Sequence, residues 1–113
     1  MVFAAKIATE FRQKFKKDVV LDMIVKVTTG KATAGDLRNA LAKAYAASPF
    51  VHVVEEGVIP ATQHVRGSNF CHIGVFADRI KNRAIVISVL DNLVKGSAGQ
   101  AIQNMNLMLG FPE

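Results

Sequence analysis

The alternation of apolar and polar residues along the chain predicts three helices and four strands. Residues 2–15 place large apolar side chains at every fourth position, which is the period of an amphipathic helix. Residues 19–28 change to a period of two, as in a strand with one face buried. Further apolar runs predict strands over 50–55, 69–77 and 83–90, the last two pairing as a hairpin through a turn at 78–82.

Capping signals place the other two helices. Thr33 followed by Asp36 is close to a capping box and begins a helix that ends before Pro49. Its predicted buried stripe is Leu37, Ala40, Leu41, Ala44 and Tyr45. The last helix covers 97–109, with Gly110 as its cap. The order α-β-α-β-β-β-α predicts an α+β fold, in which a four-stranded, mostly antiparallel or mixed sheet packs with three helices in one domain spanning 1–113.

Composition narrows the class of protein. A chain of 113 residues, 50% of them hydrophobic and 20% charged, suits one modest globular core. No apolar run reaches the roughly 18–20 residues of a membrane span, so no membrane partner is expected. The single cysteine, Cys71, excludes an internal disulfide framework and a cysteine-rich zinc site, and it suits a reducing cytoplasm. His52 and His64 show no ligand spacing, so no metal site is predicted.

The net charge of +5 permits attraction to nucleic acid but does not establish it. The basic residues concentrate near the amino terminus, at Lys6, Arg12, Lys14, Lys16 and Lys17. On a helix they lie mostly away from the apolar stripe, which favours a solvated face. Aromatic stacking platforms and nucleic-acid-binding motifs are missing, so a small basic binding module is the least favoured hypothesis.

The segment DNLVKGSAGQAIQNMN, residues 91–106, follows the last predicted strand and is interpreted as a glycine-punctuated loop that opens a helix. Glycines at the head of a helix allow the backbone to approach a ligand closely, with free N–H groups directed outward. An ordinary strand-to-helix connection explains the same residues without a ligand.

The run 66–113, which contains this segment and begins with RGSNFCHIGVFADR, resembles the carboxyl-terminal end of the N-acetyl-γ-glutamyl-phosphate reductases, NADP-dependent enzymes of arginine biosynthesis. The resemblance extends back to about Val25. It implies that the loop lies beside the cofactor, with Asn92 near the nicotinamide amide and Lys95, Gly96, Ser97, Gly99 and Gln100 around it. It also implies a position near the substrate for Arg66, Ser68 and Asn69.

The resemblance covers only the tail of that enzyme. The family's glycine fingerprint for the dinucleotide, its cysteine nucleophile in a Gly-Cys-Tyr/Phe-Pro-Thr setting and its histidine acid/base do not occur in this sequence. Cys71 lacks that context, and His72 next to it points to the opposite face of a strand. No catalytic residue is therefore predicted, and no firm binding of NADP is expected.

A second resemblance concerns the run VFAAKIATEFRQKFKKDVVLDM at 2–23, which is similar to a helix–strand segment of the E1 component of 2-oxoglutarate dehydrogenase. Together the two resemblances imply a chimera with a seam near 23–26. The alternative is an ordinary amphipathic helix and strand with coincidental similarity. A seam inside one strand would preserve its alternation.

Two functional hypotheses follow from the reductase resemblance. The favoured one is a folded, non-catalytic domain, chimeric or excised from a reductase, that self-associates. The other is one piece of a split or assembled reductase that reduces an acyl phosphate with NADPH. Because removal of a domain exposes apolar surface, we expect a homo-oligomer, most simply a dimer.

Overall fold

The computed structural model of the chain describes residues 21–113, and the side chains from Ile24 onward. Its strands are β1 (Leu21–Thr28), β2 (Val51–Val53), β3 (Cys71–Ala77) and β4 (Arg83–Leu90), and its helices are α1 (Ala34–Ala44) and α2 (Gly99–Met108). The α+β class and the four-stranded sheet are confirmed. The helix predicted over 2–15 lies outside the described residues, as do its basic face and most of the segment that resembles the dehydrogenase.

The sheet is mixed and has the order β1-β4-β3-β2. β1 pairs antiparallel with β4 from Leu21 opposite Leu90 to Thr28 opposite Arg83. β3 and β4 form the predicted antiparallel hairpin, whose turn is closed by an ion pair between Asp78 and Arg83. β2 pairs parallel with β3 and is only three residues long, shorter than predicted.

The capping box at the start of α1 is confirmed. The Thr33 hydroxyl accepts from the backbone N–H of Asp36 at 3.1 Å, and the Asp36 carboxylate accepts from the backbone N–H of Thr33 at 2.8 Å. The pKa of Asp36 is lowered, chiefly by that backbone hydrogen bond. Two orphan backbone N–H donors are satisfied at once, so the helix begins where the sequence places it.

The predicted buried stripe of α1 is partly wrong, because Ala40 and Ala44 are exposed. Leu41 and Tyr45 do pack on the core cluster of the sheet. The contact face is rotated toward Arg38, whose Nε donates to the carbonyl of Val54 at 2.9 Å. This hydrogen bond ties the helix to the chain after β2, so short alanine side chains on the other side of the stripe reach no partner.

The two faces of the sheet carry different sets of apolar residues. Cys71, Ile73 and Leu90 form a buried cluster on the face that packs against α1. The opposite face carries Ile24, Ile85 and Ile87, which cross-strand pairing places side by side on β1 and β4. Ile24 is 63% exposed, and the two β4 isoleucines are half-buried. We call this surface the Ile24 face.

The carboxyl-terminal helix ends as predicted. Gly110 has a φ of +76°, a left-handed conformation that glycine adopts without strain. Its N–H donates to the carbonyl of Leu107 at 3.2 Å, and the N–H of Phe111 donates to that of Asn106 at 2.8 Å. This is the Schellman arrangement, and it turns the chain back toward α2. Neither helix of the described part is long and apolar enough to cross a bilayer.

Candidate functional site

The segment after β4 is helical where the sequence predicted a glycine loop. A π-helical turn, Val94–Ala98, continues directly into α2, and Gly99 at the junction has φ −64° and ψ −43°. The helix therefore begins several residues before Ser97. The loop interpretation is wrong because glycine does not interrupt the helix here, where both glycines satisfy a packing requirement.

That requirement is visible at both glycines. A Cβ on Gly96 would lie 2.6 Å from the side-chain oxygen of Asn92, and a Cβ on Gly99 would lie 2.0 Å from that of Asn69. Real Cβ atoms do not approach other atoms so closely. The glycines therefore let two asparagine side chains lie directly against the helix backbone, which is the close approach that glycine allows.

Asp91 caps this helical segment and joins it to the loop before β3. Its Oδ1 accepts from the backbone N–H of Leu93 at 2.8 Å and of Val94 at 3.3 Å. Its Oδ2 accepts from the backbone N–H of Gly67 at 2.8 Å. These are orphan donors of a helix start and a turn, which an acidic side chain satisfies well. The hydrogen bonds, with that from Gly67 contributing most, hold the pKa of Asp91 below its ordinary value.

The two groups of predicted site residues therefore lie together. Gly67 lies between Arg66 and Ser68, and its backbone N–H donates to the carboxylate of Asp91, which caps the helical segment. Ser68 donates through its hydroxyl to the carbonyl of Val65 at 2.6 Å, which stabilises the turn. Asn69 reaches the next turn of α2 and donates to Gln103 at 2.7 Å. Loop 66–69 and segment 91–103 form one polar wall at the end of the sheet.

The other predicted cofactor-side residues occupy different depths in this wall. Lys95 is buried, with its ammonium 5.8 Å from the centre of the Phe50 ring. Burial lowers the pKa of Lys95, and the nearby Glu113 carboxylate opposes that shift. Gln100 donates to the carbonyl of Gly96 at 3.2 Å, within the helix. Ser97 is exposed and Asn92 is half-buried.

Gln103 is the residue of this wall that sequence reasoning missed. It is 2% exposed and contacts both Asn69 and Lys95. A polar residue on an amphipathic helix is normally assigned to the solvent side, so the side chain of Gln103 gave no sign that it is buried. The available signal was its spacing, because Lys95, Gly99 and Gln103 recur every fourth position on one helix face.

Cys71 lies away from any catalytic arrangement in the described residues. The residue is 1% exposed, and its thiol lies 3.3 Å from the Ser88 hydroxyl. Burial raises the pKa of the Cys71 thiol, so the neutral form predominates at pH 7. His72 projects from the opposite face of the sheet, as predicted, and cannot act as a base for this thiol.

The sheet edge at β2 holds a histidine pair that the sequence did not suggest. The rings of His52 and His72 lie 5.5 Å apart because the parallel pairing sets them side by side. They line an open groove of about 540 Å³ with Tyr45 and Phe70. Partial burial is the main cause that lowers the pKa of His72, and the charge of the neighbouring His52 is the second cause. Within residues 21–113, no three metal-ligating side chains converge.

The Asp91 cap gives a testable prediction. Asp91→Asn is expected to lower the melting temperature at pH 7, because an amide offers one acceptor oxygen where the carboxylate offers two. Since the folded pKa of Asp91 is depressed, its contribution to stability is full above the unfolded pKa of about 3.9 and is lost as pH falls through the folded value. Thermal unfolding between pH 2 and 7 measures both effects.

Glu56→Gln, at an exposed loop carboxylate, is the matched control. The control should keep the acid dependence of the parent chain, whereas Asp91→Asn should flatten it. Equal curves for the two variants would contradict the role assigned to Asp91.

Comparison with known proteins identifies the family. The family model described as "semialdehyde dehydrogenase, dimerisation domain" matches residues 9–92, most of the chain. The chain belongs to this family. The match runs through the predicted seam at 23–26 and begins earlier than Val25, the limit set by the reductase resemblance.

The similar curated proteins are reductases. The chain is 64% identical over 87 residues to N-acetyl-gamma-glutamyl-phosphate reductase of Rhodospirillum rubrum, covering 74% of this chain and 25% of that protein. It is 54% identical over 94 residues to that of Geobacter sp. strain M21, covering 83% and 27%. It is 60% identical over 78 residues to a probable chloroplastic enzyme of Arabidopsis thaliana, covering 69% and 20%. The chain thus spans 20 to 27% of the length of these relatives.

Proposed function

We propose that this chain is the dimerisation and nicotinamide-side domain of an NADP-dependent acyl-phosphate reductase, and that it is not catalytic by itself. The observation that supports this most is the polar wall, where loop 66–69 and segment 91–103 meet through Asp91 and Gln103. A wall of this kind binds and orients one side of a ligand. It carries no nucleophile with a facing base among residues 21–113.

The wall fits the amide-bearing end of a dinucleotide. Asn92, Lys95 and Ser97 supply polar groups at different depths of the wall. When bound, NADPH would supply the hydride of the reduction. The residues present here would hold and orient its nicotinamide, while the larger part of the binding energy comes from the rest of the cofactor.

Self-association is the second part of the proposal. The family to which the chain belongs is a family of dimerisation domains. The Ile24 face offers an apolar surface that a second copy would cover. A twofold axis brings the same patch of two copies together, so one isoleucine-rich surface is sufficient. The cytoplasmic location and the absence of a nucleic-acid partner stay predictions from composition.

Three measurements test the proposal: sedimentation of the chain, an assay of acyl-phosphate reduction, and a titration with NADPH. We expect a dimer at micromolar concentration, no acyl-phosphate reduction, and NADPH binding no tighter than about millimolar, which corresponds to roughly 4 kcal/mol. Turnover by the chain alone would overturn its non-catalytic assignment. A monomer throughout the concentration range would overturn the dimerisation.

The alternative function, one piece of an assembled reductase, has its own test. The chain is mixed with a separately produced dinucleotide-binding half of a related reductase, and acyl-phosphate reduction is assayed. Turnover by the mixture but by neither part favours the assembled enzyme. The identity of 64% over 87 residues to the reductase of Rhodospirillum rubrum is the observation that supports this alternative.

The proposed chimeric origin concerns the chain's history and not its chemistry. β1 runs from Leu21 to Thr28 without interruption, which a seam at 23–26 inside one strand permits. The family match from residue 9 favours a continuous domain. The encoding DNA decides between them, because a natural reductase gene that spans these residues would eliminate the chimera.

A further inference from the structure

We propose that Gln103 is a positioning residue, which fixes the side chains of Asn69 and Lys95 relative to each other in the polar wall. The inference rests on the proposed function, since these two residues belong to its substrate and cofactor sides. Gln103 itself lies beneath the wall and is 2% exposed. It is placed to act through its neighbours rather than by touching a ligand.

The geometry at the amide oxygen carries the argument. Gln103 Oε1 accepts from Asn69 Nδ2 at 2.7 Å and from Lys95 Nζ at 2.6 Å. One oxygen thus receives donors from two separate segments, the loop before β3 and the π-helical turn. A carbonyl oxygen has two lone pairs, so both bonds are satisfied at the same time. Their shared acceptor fixes the distance between the two donors.

The amide nitrogen holds Gln103 in the required orientation. Its Nε2 donates to Glu113 Oε1 at 2.7 Å, where the Schellman turn at Gly110 has brought the chain back. A carboxylate accepts only, so it selects the amide rotamer whose nitrogen faces Glu113 and whose oxygen faces Asn69 and Lys95. Hydrogen bonds to charged groups are among the stronger ones, which makes the orientation firm.

Gly99 completes the arrangement. The side-chain oxygen of Asn69 lies where a Cβ of Gly99 would stand, so the asparagine amide is held between the helix backbone and Gln103. With its nitrogen bonded to Gln103, its oxygen faces the helix and has no hydrogen-bond partner among the described residues. The orientation of Asn69 therefore depends on Gln103 more than on any bond to its own oxygen.

Two variants of the chain test this role by NMR. Gln103→Leu removes the acceptor at similar size. The exchanged variant, Gln103→Glu with Glu113→Gln, keeps an acceptor for Asn69 and Lys95 and restores a donor–acceptor pair with position 113. Exchange of the Asn69 side-chain amide should be at least about tenfold faster in Gln103→Leu and close to the parent value in the exchanged variant, since hydrogen bonding protects amides. Titration of the Lys95 resonance should show its pKa raised by about one unit or more in the exchanged variant, because an opposite charge in direct contact favours the ammonium.

Asn104→Leu, at an exposed position of the same helix, is the control and should change neither measurement. A general loss of packing would speed amide exchange in both leucine variants and would not be rescued in the exchanged variant. Failure of the Asn69 exchange or of the Lys95 titration to respond as stated overturns the proposal. If Gln103→Leu does not fold, the Lys95 titration in the exchanged variant decides alone. Neither readout requires NADPH or a dimer, so failure of the proposed function would be seen separately, in sedimentation and turnover.

Discussion

Replacing Gly99 with alanine is expected to lower the free energy of unfolding by about 3 kcal/mol, a large effect for one methyl group. The added Cβ would lie 2.0 Å from Asn69 Oδ1 and 2.8 Å from the backbone carbonyl oxygen of Val94. The asparagine side chain would have to leave its site, and the helix backbone would have to shift as well. Denaturant unfolding measures the loss, and thermal unfolding should show a fall of roughly 10 °C or more.

Gly35→Ala is the matched control, because Gly35 also lies in a helix but has space. Its Cβ would meet only Thr33 Oγ1, at 3.6 Å, which is ordinary contact. That variant should be neutral or more stable by about 0.4–1 kcal/mol, since alanine restricts the unfolded chain. A loss at Gly99 no larger than at Gly35 would contradict the packing argument.

A double-mutant cycle tells whether Asn69 is the obstacle. Asn69→Ala by itself loses the hydrogen bond to Gln103 and should be destabilising. When Asn69→Ala is combined with Gly99→Ala, the two losses of stability should be less than additive. Alanine at position 69 lacks the oxygen with which the new Cβ of residue 99 would clash. Strict additivity would mean that the strain lies at the Val94 carbonyl instead.

The sequence predicted those parts of the fold that depend on local chemistry. The apolar run at 83–90 predicted the bounds of β4, the Thr33–Asp36 pair predicted the start of α1, and Gly110 predicted the end of α2. Each is decided within a few residues by side-chain direction or by a hydrogen bond to the nearby backbone. Such features need no knowledge of distant segments.

The features that were missed depend on contacts across the fold. Gly99 was interpreted as part of a loop because Asn69, the side chain that requires it to be small, comes from a loop 30 positions earlier. Gln103 was overlooked because its partner Asn69 belongs to the same distant loop. The composition of the candidate site was therefore predictable by resemblance, whereas its backbone conformation and its central residue were not.

Replacing Ile24 with glutamate is expected to weaken the proposed dimer at least about tenfold. Ile24 is 63% exposed on β1 and lies opposite Ile87 of β4, so it extends the isoleucine surface to the edge of the sheet. In a twofold interface each substitution occurs twice, and two carboxylates would enter an apolar contact without partners. In the monomer the same change is at the surface and should alter stability by less than about 0.5 kcal/mol.

Sedimentation across a concentration series separates these two effects. Ile80→Glu is the matched control, since Ile80 is 56% exposed in the turn between β3 and β4, beyond the strand residues that form the Ile24 face. It should leave the dimer unchanged. Ile102→Glu tests the competing surface, because α2 also exposes apolar residues, with Ile102 56% exposed. If Ile102→Glu gave monomers while Ile24→Glu did not, the interface would lie on α2, and the Ile24 face would have to be covered by another part of a longer reductase.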